Sequence, residues 1–199
     1  MLSGITTLGP GNRFVLWTQG CMKKCPGCIS PESRSLAGGR LIPVDQIAKR
    51  IITNLESDGI TISGGEPFLQ ARALCAMIDL IKCERDIGVI VYTGYTLIEL
   101  RSSEAPDYSS EFLKRIDLLI DGPYLQELND DRSLRGSSNQ SIIPLTDRYK
   151  NAVHMYGVEG QRKTEIRGTP TGIFVAGIPA KGVAKEGLGL RGTQDDKDT

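Results

Sequence analysis

Four short apolar runs, each ending in a polar loop that contains glycine, restrict this chain to few architectures. Arg13-Phe14-Val15-Leu16-Trp17-Thr18 leads into a loop rich in cysteine, and Gly59-Ile60-Thr61-Ile62-Ser63 leads into Gly64-Gly65-Glu66-Pro67. Gly88-Val89-Ile90-Val91-Tyr92 ends in Thr93-Gly94-Tyr95, and Ile116-Asp117-Leu118-Leu119-Ile120 ends in Asp121-Gly122-Pro123. Continuous apolar runs of this length read as strands covered on both faces. Helical patterns separate them. Val44, Ile47, Ala48, Ile51, Ile52 and Leu55 recur at helical spacing behind Pro43, and a second helix is expected from Phe68 to about Arg85, with Leu74, Ile78 and Ile81 on one face. Weaker helical stretches cover Leu97–Leu100 and Ser110–Arg115. This alternation predicts βαβ units and a parallel sheet. The four loops then share the carboxyl edge of that sheet, where the active sites of parallel α/β folds collect.

The first of these loops carries Cys21, Cys25 and Cys28, spaced C-x3-C-x2-C. Thiolates gathered this tightly mark a soft-metal site. A [4Fe–4S] cluster normally takes four thiolates, so three would leave one iron open to a small molecule. Structural zinc is the simpler alternative, and it needs a fourth ligand. The single imidazole, His154, and the remaining cysteines, Cys75 and Cys83, are the options. Cys75 and Cys83 fall on the second helix and read as small apolar residues.

Composition removes several classes of function. Lys plus Arg and Asp plus Glu both number 24, so no net charge draws the chain to nucleic acid or to an acidic membrane. Aromatic residues make up 6%, too few for a base-stacking surface. No apolar run approaches the roughly 18–20 residues of a membrane span, and residues 1–6 lack the pattern of a secretory signal, which points to the cytosol. In that compartment cysteines suggest metal or redox chemistry rather than disulfides. Residues 1–180 are expected to form one domain with its core at about 9–145, extended by two short strands, Thr164–Arg167 and Gly172–Ala176, in a hairpin across Gly168–Thr171. Residues 181–199, rich in glycine and charge, read as a flexible tail.

The three-cysteine loop after a first strand, followed by Ser63-Gly64-Gly65-Glu66-Pro67 after the second, resembles the radical S-adenosylmethionine (SAM) superfamily. More narrowly, Gly9-Pro10-Gly11-Asn12-Arg13, Val91-Tyr92-Thr93-Gly94-Tyr95, Asp121-Gly122-Pro123 and Arg135-Gly136-Ser137-Ser138-Asn139-Gln140 resemble the activating proteins of anaerobic ribonucleotide reductases. The resemblance implies an incomplete parallel (β/α) barrel, open on one side, with a short irregular C-terminal extension. It implies that Cys21, Cys25 and Cys28 hold a [4Fe–4S] cluster whose fourth iron binds SAM. Reduction then cleaves the sulfonium to a 5′-deoxyadenosyl radical, which takes a hydrogen from a glycine of a partner glycyl-radical enzyme. A low-potential donor such as flavodoxin or ferredoxin would supply the electron. Lys23 and Lys24 read by their charge as a solvated loop, with a docking contact for an acidic electron donor as the functional alternative.

The resemblance also assigns SAM contacts. Ser63 would stand among the cofactor-binding residues, Gly64 and Gly65 would let backbone approach the ligand, and Glu66 would accept a hydrogen bond from its amino group. The backbone of Gly27 and Ile29 would meet the adenine, and Thr93 and Asp121 the carboxylate or ribose. Where activases of this group often read Cys-His-Asn-Pro, this chain has Cys28-Ile29-Ser30-Pro31. Neither replaced residue is a cluster ligand. That departure and the extra C-terminal strands keep one rival in view, a small radical SAM enzyme acting on another peptide or small molecule; a second rival, of a different class, is a non-catalytic iron–sulfur or zinc protein.

Overall fold

In the computed structural model, residues 1–158, 160–169 and 172–180 are described. A six-stranded sheet runs in sequence order, β1 (Leu2–Ile5), β2 (Arg13–Thr18), β3 (Gly59–Gly64), β4 (Gly88–Tyr92), β5 (Leu118–Asp121) and β6 (Ser141–Pro144). The strands β2 to β5 are parallel, with Phe14 beside Ile60, Ile60 beside Val89, and Val91 beside Leu119. They correspond to the four apolar runs. The expectation of a purely parallel sheet fails at both edges, where β1 and β6 run antiparallel to their neighbours. Both edge strands have four residues and blurred strand signals. In β1, Gly4 adopts a positive φ and the register shifts between Leu2 and Ile5. In β6, Pro144 lacks an N–H and is tolerated because the strand lies at an edge.

Strand alternation divides the core into two layers. Phe14, Leu16, Ile60, Ile62, Val89, Val91 and Leu119 face the helices α1 (Val44–Thr53) and α2 (Ala71–Glu84), which bury Ala48, Ile51, Leu74, Ile78 and Ile81 against them. The second helix starts later than the sequence suggests, because Pro67–Gln70 first makes a tight 3-10 turn. The short helices α3 (Leu97–Leu100) and α4 (Ser109–Leu113) follow β4, and Phe112 of α4 packs on Phe68, with ring centroids 4.9 Å apart. Truncating a fully buried aliphatic here, such as Ile78, costs about 2–5 kcal/mol.

The opposite, inner face of the sheet presents Val15, Trp17, Ile90, Tyr92, Leu118 and Ile120, and no helix of the α1–α4 set covers it. Its cover comes from the chain beyond β5. Leu134, Ala152, Tyr149 and Tyr156 close over Ile90, Leu118, Ile120 and the neighbouring Ile142 of β6. A separate two-stranded hairpin, β7 (Thr164–Thr169) and β8 (Gly172–Gly177), closes over Val15 and Trp17. The hairpin expected from the sequence is therefore formed. The middle of its connection, Pro170–Thr171, and the tail 181–199 lie outside the described residues.

The amino end of the inner face is built on Arg13, which is fully buried. Its Nε donates to Thr61 Oγ1 (3.1 Å), NH1 to Tyr149 Oη (2.8 Å) and Pro10 O (3.3 Å), and NH2 to Ile60 O (2.5 Å) and Gly88 O (3.0 Å). The guanidinium thus clamps β2, β3 and β4 to the Tyr149 turn. A buried cation survives only when its donors are satisfied in this way.

Candidate radical SAM site

All four glycine-bearing loops gather at the carboxyl edge of β2 to β5. The cysteine loop is a closed excursion from Thr18 to Ser35. Gly20 N donates to Ser33 O (2.8 Å) and Cys21 N to Arg34 O (3.0 Å), so the ends of the loop meet. The Gln19 amide closes it further by donating to Glu32 O (3.1 Å) and Ser35 O (2.9 Å). The loop is stitched in turn to the Gly-Gly-Glu segment after β3. Gly65 N donates to Thr18 O and Glu66 N to Gly20 O, both at 2.8 Å, and Gln70 Nε2 donates to Gln19 O at 2.8 Å.

This packing explains the paired glycines in a way the sequence does not reveal. A Cβ on Gly65 would fall within the van der Waals envelope of Gly20 O and 2.8 Å from Ser33 O. One on Gly64, whose φ is +105°, would meet the Thr18 backbone and lie 2.8 Å from Trp17 C. Both glycines are required for the cysteine loop itself to come close. Ser63 takes part through its carbonyl, which accepts from Thr18 Oγ1 at 3.1 Å.

Glu66 is almost wholly buried and joins two loops. Its Oε1 accepts from Phe68 N (3.0 Å) and Thr93 Oγ1 (2.8 Å), and its Oε2 from Gly94 N (2.8 Å). Burial pushes its carboxyl above the usual carboxylate range, and the three donors only partly offset this. Thr93 is thereby a neighbour of Glu66, as the shared strand edge suggests, and its hydroxyl also accepts from Tyr95 N at 3.1 Å. Asp121 sits one loop further along. Its Oδ2 accepts from Leu97 N at the start of α3 (2.6 Å), and its Oδ1 from Ser141 N of β6 (3.2 Å).

The three thiols are free and half-buried. Burial raises the Cys21 thiol, and the charges of Glu66, Cys28 and Cys25 add to the effect, while its hydrogen bond to Lys23 O (3.7 Å) opposes it. Metal binding by such thiols would release protons. Among the described residues no three His, Cys, Asp or Glu side chains converge on a point suited to a single ion. Each thiolate of an iron–sulfur cluster ligates a different iron, so convergence is not required of these three.

Arg34 carries the second sign of fit. Its NH2 donates to Cys25 O, while its Nε, itself buried, finds no acceptor among the described residues. A half-buried, incompletely paired cation against a loop of three thiols suits an anionic iron–sulfur cluster. Sequence reading missed Arg34, for which only its position six residues after Cys28 was available.

Other predicted positions have internal roles. Gly27, with φ +68°, is exposed, and a Cβ there would come 2.5 Å from Gln126 Oε1 and 3.4 Å from Tyr124. It therefore backs onto the β5–β6 connection, while Ile29 beside it is 37% exposed. Lys23 is committed to the β4 loop, 4.1 Å above the Tyr95 ring centroid and 3.5 Å from Glu99, whereas Lys24 is exposed. The donors of Arg135–Gln140 are largely engaged within the fold: Gln140 Nε2 holds Gly122 O (2.8 Å) and Asn139 Nδ2 holds Pro123 O (2.7 Å). This loop shapes the segment after β5. Cys75 is on the buried face of α2, Cys83 is exposed, and His154 lies exposed on the wide helical turn Val153–Val158.

Comparison with known proteins places this geometry. Residues 7–143 match the family model described as a 4Fe-4S single cluster domain. Anaerobic ribonucleoside-triphosphate reductase-activating proteins are also similar to it. That of Vibrio cholerae is 34% identical over 146 residues, covering 69% of this chain and 91% of the relative. That of Haemophilus influenzae is 36% identical over 143 residues, covering 67% and 88%. A pyruvate formate-lyase-activating enzyme of Clostridium pasteurianum is 29% identical over 159 residues, covering 76% of this chain and 60% of the relative. A cysteine loop stitched to a Gly-Gly-Glu turn at the carboxyl edge of a parallel sheet, within a chain so matched, belongs to the 4Fe-4S single-cluster family that includes the anaerobic ribonucleoside-triphosphate reductase-activating proteins.

Proposed function

We propose that this chain is a radical SAM activase that installs a glycyl radical on a partner enzyme, an anaerobic ribonucleoside-triphosphate reductase. The observation that carries the reading is the cysteine loop locked to Gly64-Gly65-Glu66, within a chain similar along most of its length to activating proteins of that name. Cys21, Cys25 and Cys28 would hold the [4Fe–4S] cluster, and the adjoining loops through Ser63, Gly64, Gly65, Glu66, Thr93 and Asp121 would form the SAM site, with Gly27 and Ile29 on its cysteine-loop side. When bound, the cluster and SAM supply the one-electron chemistry: cleavage of the sulfonium and removal of a hydrogen atom from glycine.

The protein's own part in this reaction is positioning and electrostatics. Arg34 sets a positive charge against the Cys25 backbone, and the interlocked loops hold the cysteine loop in place before the metal arrives. Glu66, already held by three donors, offers its remaining lone pair to a cationic amino group and gains from that charge, since burial disfavours its ionised form. Met22 and Ile29 are exposed on the cysteine loop and Leu36 just beyond it, apolar side chains available to a protein partner.

The sequential strand order, with each crossover advancing the sheet in one direction, supports the incomplete radical SAM barrel, with residues 1–180 as one domain. A low-potential donor of the flavodoxin or ferredoxin class would act on it in the cytosol, docking by Lys24, and nucleic acid has no part in the reaction. No helix among the described residues is long and apolar enough to cross a membrane. The test is product formation. After anaerobic reconstitution, dithionite and SAM should yield 5′-deoxyadenosine, and Ala at Cys21, Cys25 or Cys28 should abolish it, while Cys75→Ala and Cys83→Ala should not. An intact cluster that forms no 5′-deoxyadenosine removes the activase reading.

A further inference from the structure

The family match ends at residue 143, and β7 and β8 lie beyond it. Among the described residues these strands pair only with each other, so the hairpin is a separate body laid across the inner face of the sheet. At its base Glu165 Oε1 accepts from Thr6 N (2.6 Å), Thr6 Oγ1 (2.8 Å) and Thr7 N (3.0 Å). Two residues on, Arg167 NH2 donates to Gly4 O at 2.5 Å. Its cross-strand partner Phe174 meets Trp17, with ring centroids 4.9 Å apart and planes inclined by 59°. Ala176 is buried with Ile5, Leu8 and Val15. Trp17 immediately precedes Thr18, whose carbonyl holds Gly65. The hairpin therefore runs from the amino end of the inner face to the edge where the cysteine loop begins.

The hairpin is firmly held only at its base, where Arg162 donates to Asn129 Oδ1 (2.8 Å), Arg135 O (2.7 Å), Gly136 O (3.2 Å) and Pro179 O (3.0 Å). Over the sheet itself the contacts are those of Glu165, Arg167, the Trp17–Phe174 ring pair and a small apolar cluster, and Ile166 on the outer side is 60% exposed. The docked state is also imperfect. Thr7 Oγ1 and Tyr92 Oη are buried on this face and find no hydrogen-bond partner among the described residues. Thr7 Oγ1 lies beneath the hairpin, 3.0 Å from where a Cβ on Gly177 would stand. Buried hydroxyls without partners favour exchange of the cover for a segment that satisfies them.

We infer that β7–β8 is a displaceable cover, and that its seat on Ile5, Thr7, Val15, Trp17 and Tyr92 also receives an extended segment of the glycyl-radical enzyme. The hairpin docked in cis and the partner segment in trans compete for one surface. This inference rests on the activase reading above. The seat takes extended backbone, as its present occupant shows, and it abuts the loop that carries the three thiols. Competition also sets the affinity: a partner that binds only the uncovered form has its dissociation constant raised by the reciprocal of the uncovered fraction. Loosening the cover lowers that constant.

The chain has a single tryptophan, Trp17, which reports docking directly. Full-length protein labelled with 5-fluorotryptophan should give one principal 19F resonance. Glu165→Ala, which removes the anchor at the far end of the hairpin without touching Trp17, should raise a second. Adding the purified anaerobic ribonucleoside-triphosphate reductase of the same source should move the parent protein toward the second resonance. The Glu165→Ala protein should bind it roughly 3- to 10-fold more tightly. Arg167→Ala gives the same expectation should Glu165→Ala fold poorly. Binding that leaves the resonance unmoved, or binding weakened by either variant, overturns the cover and leaves the activase reading standing. A second resonance in the variant with no reductase binding by either protein removes both the competition and the proposed partner.

Discussion

Replacing Gly65 by Ala is the sharpest probe of how the site is built. The added methyl group would press into Gly20 O and stand 2.7 Å from Gly20 C and 2.8 Å from Ser33 O, all backbone atoms that no rotamer change relieves. Overpacking of this kind costs about 1–3 kcal/mol. The loop can yield only by giving up the bonds from Gly65 N to Thr18 O and from Glu66 N to Gly20 O, each 2.8 Å long and each worth about 1 kcal/mol. The sum is about 3–5 kcal/mol, a large part of the roughly 5–15 kcal/mol that holds a domain together. For a chain of this size it corresponds to a melting point lower by on the order of 10 °C. The damage should centre on the cysteine loop, so iron bound per chain after anaerobic reconstitution should fall before the fold is lost. Gly168→Ala is the control, because a Cβ there meets nothing within 4 Å, and it should shift stability by no more than about 0.5 kcal/mol. A Gly65→Ala protein that melts with the parent and holds the same iron would refute the interlock.

Two further outcomes follow from buried charge. Arg13→Lys should cost about 3 kcal/mol or more, because one ammonium cannot replace a planar fork bonded to Thr61, Tyr149, Pro10, Ile60 and Gly88. Denaturant melts that place this variant within about 1 kcal/mol of the parent would contradict the clamp. Glu66 gives a pH dependence. Its folded value is raised by burial, so its contribution to stability is fully present below the unfolded value near 4.5 and is lost as pH rises through the folded value. Metal-free parent protein should therefore lose ground to Glu66→Gln as pH increases from about 4.5 toward neutrality. Urea melts in which the parent gains on the variant over that interval would reverse the sign.

The parallel centre of the fold was legible because β2 to β5 are apolar throughout and separated by helical patterns, a combination with few solutions. The convergence of the cysteine loop with Glu66 and Thr93 followed from the same pattern, since each ends a parallel strand. The edges were hidden for local reasons. Leu2–Ile5 contains a glycine in the left-handed region, and Ser141–Pro144 ends in proline, so neither gave a strand signal. The inner layer was hidden for a different reason. Arg13 reads as a strand-start charge and Tyr149 as a loop aromatic, and only the folded chain makes them partners at 2.8 Å. The glycines after β3 were recognised as necessary, but the need comes from Gly20, Thr18 and Ser33. Contacts among three loops distant in sequence leave no periodic trace in any one of them.

The most direct measurement of the central claim is electron paramagnetic resonance on the reconstituted protein mixed anaerobically with the anaerobic ribonucleoside-triphosphate reductase of the same source, SAM and a low-potential reductant. A doublet-type glycyl signal should grow on the reductase, require SAM, and vanish when Cys21, Cys25 or Cys28 is Ala. A protein that forms 5′-deoxyadenosine under these conditions yet leaves no glycyl signal on the reductase would contradict the claim that this site exists to radicalise that partner.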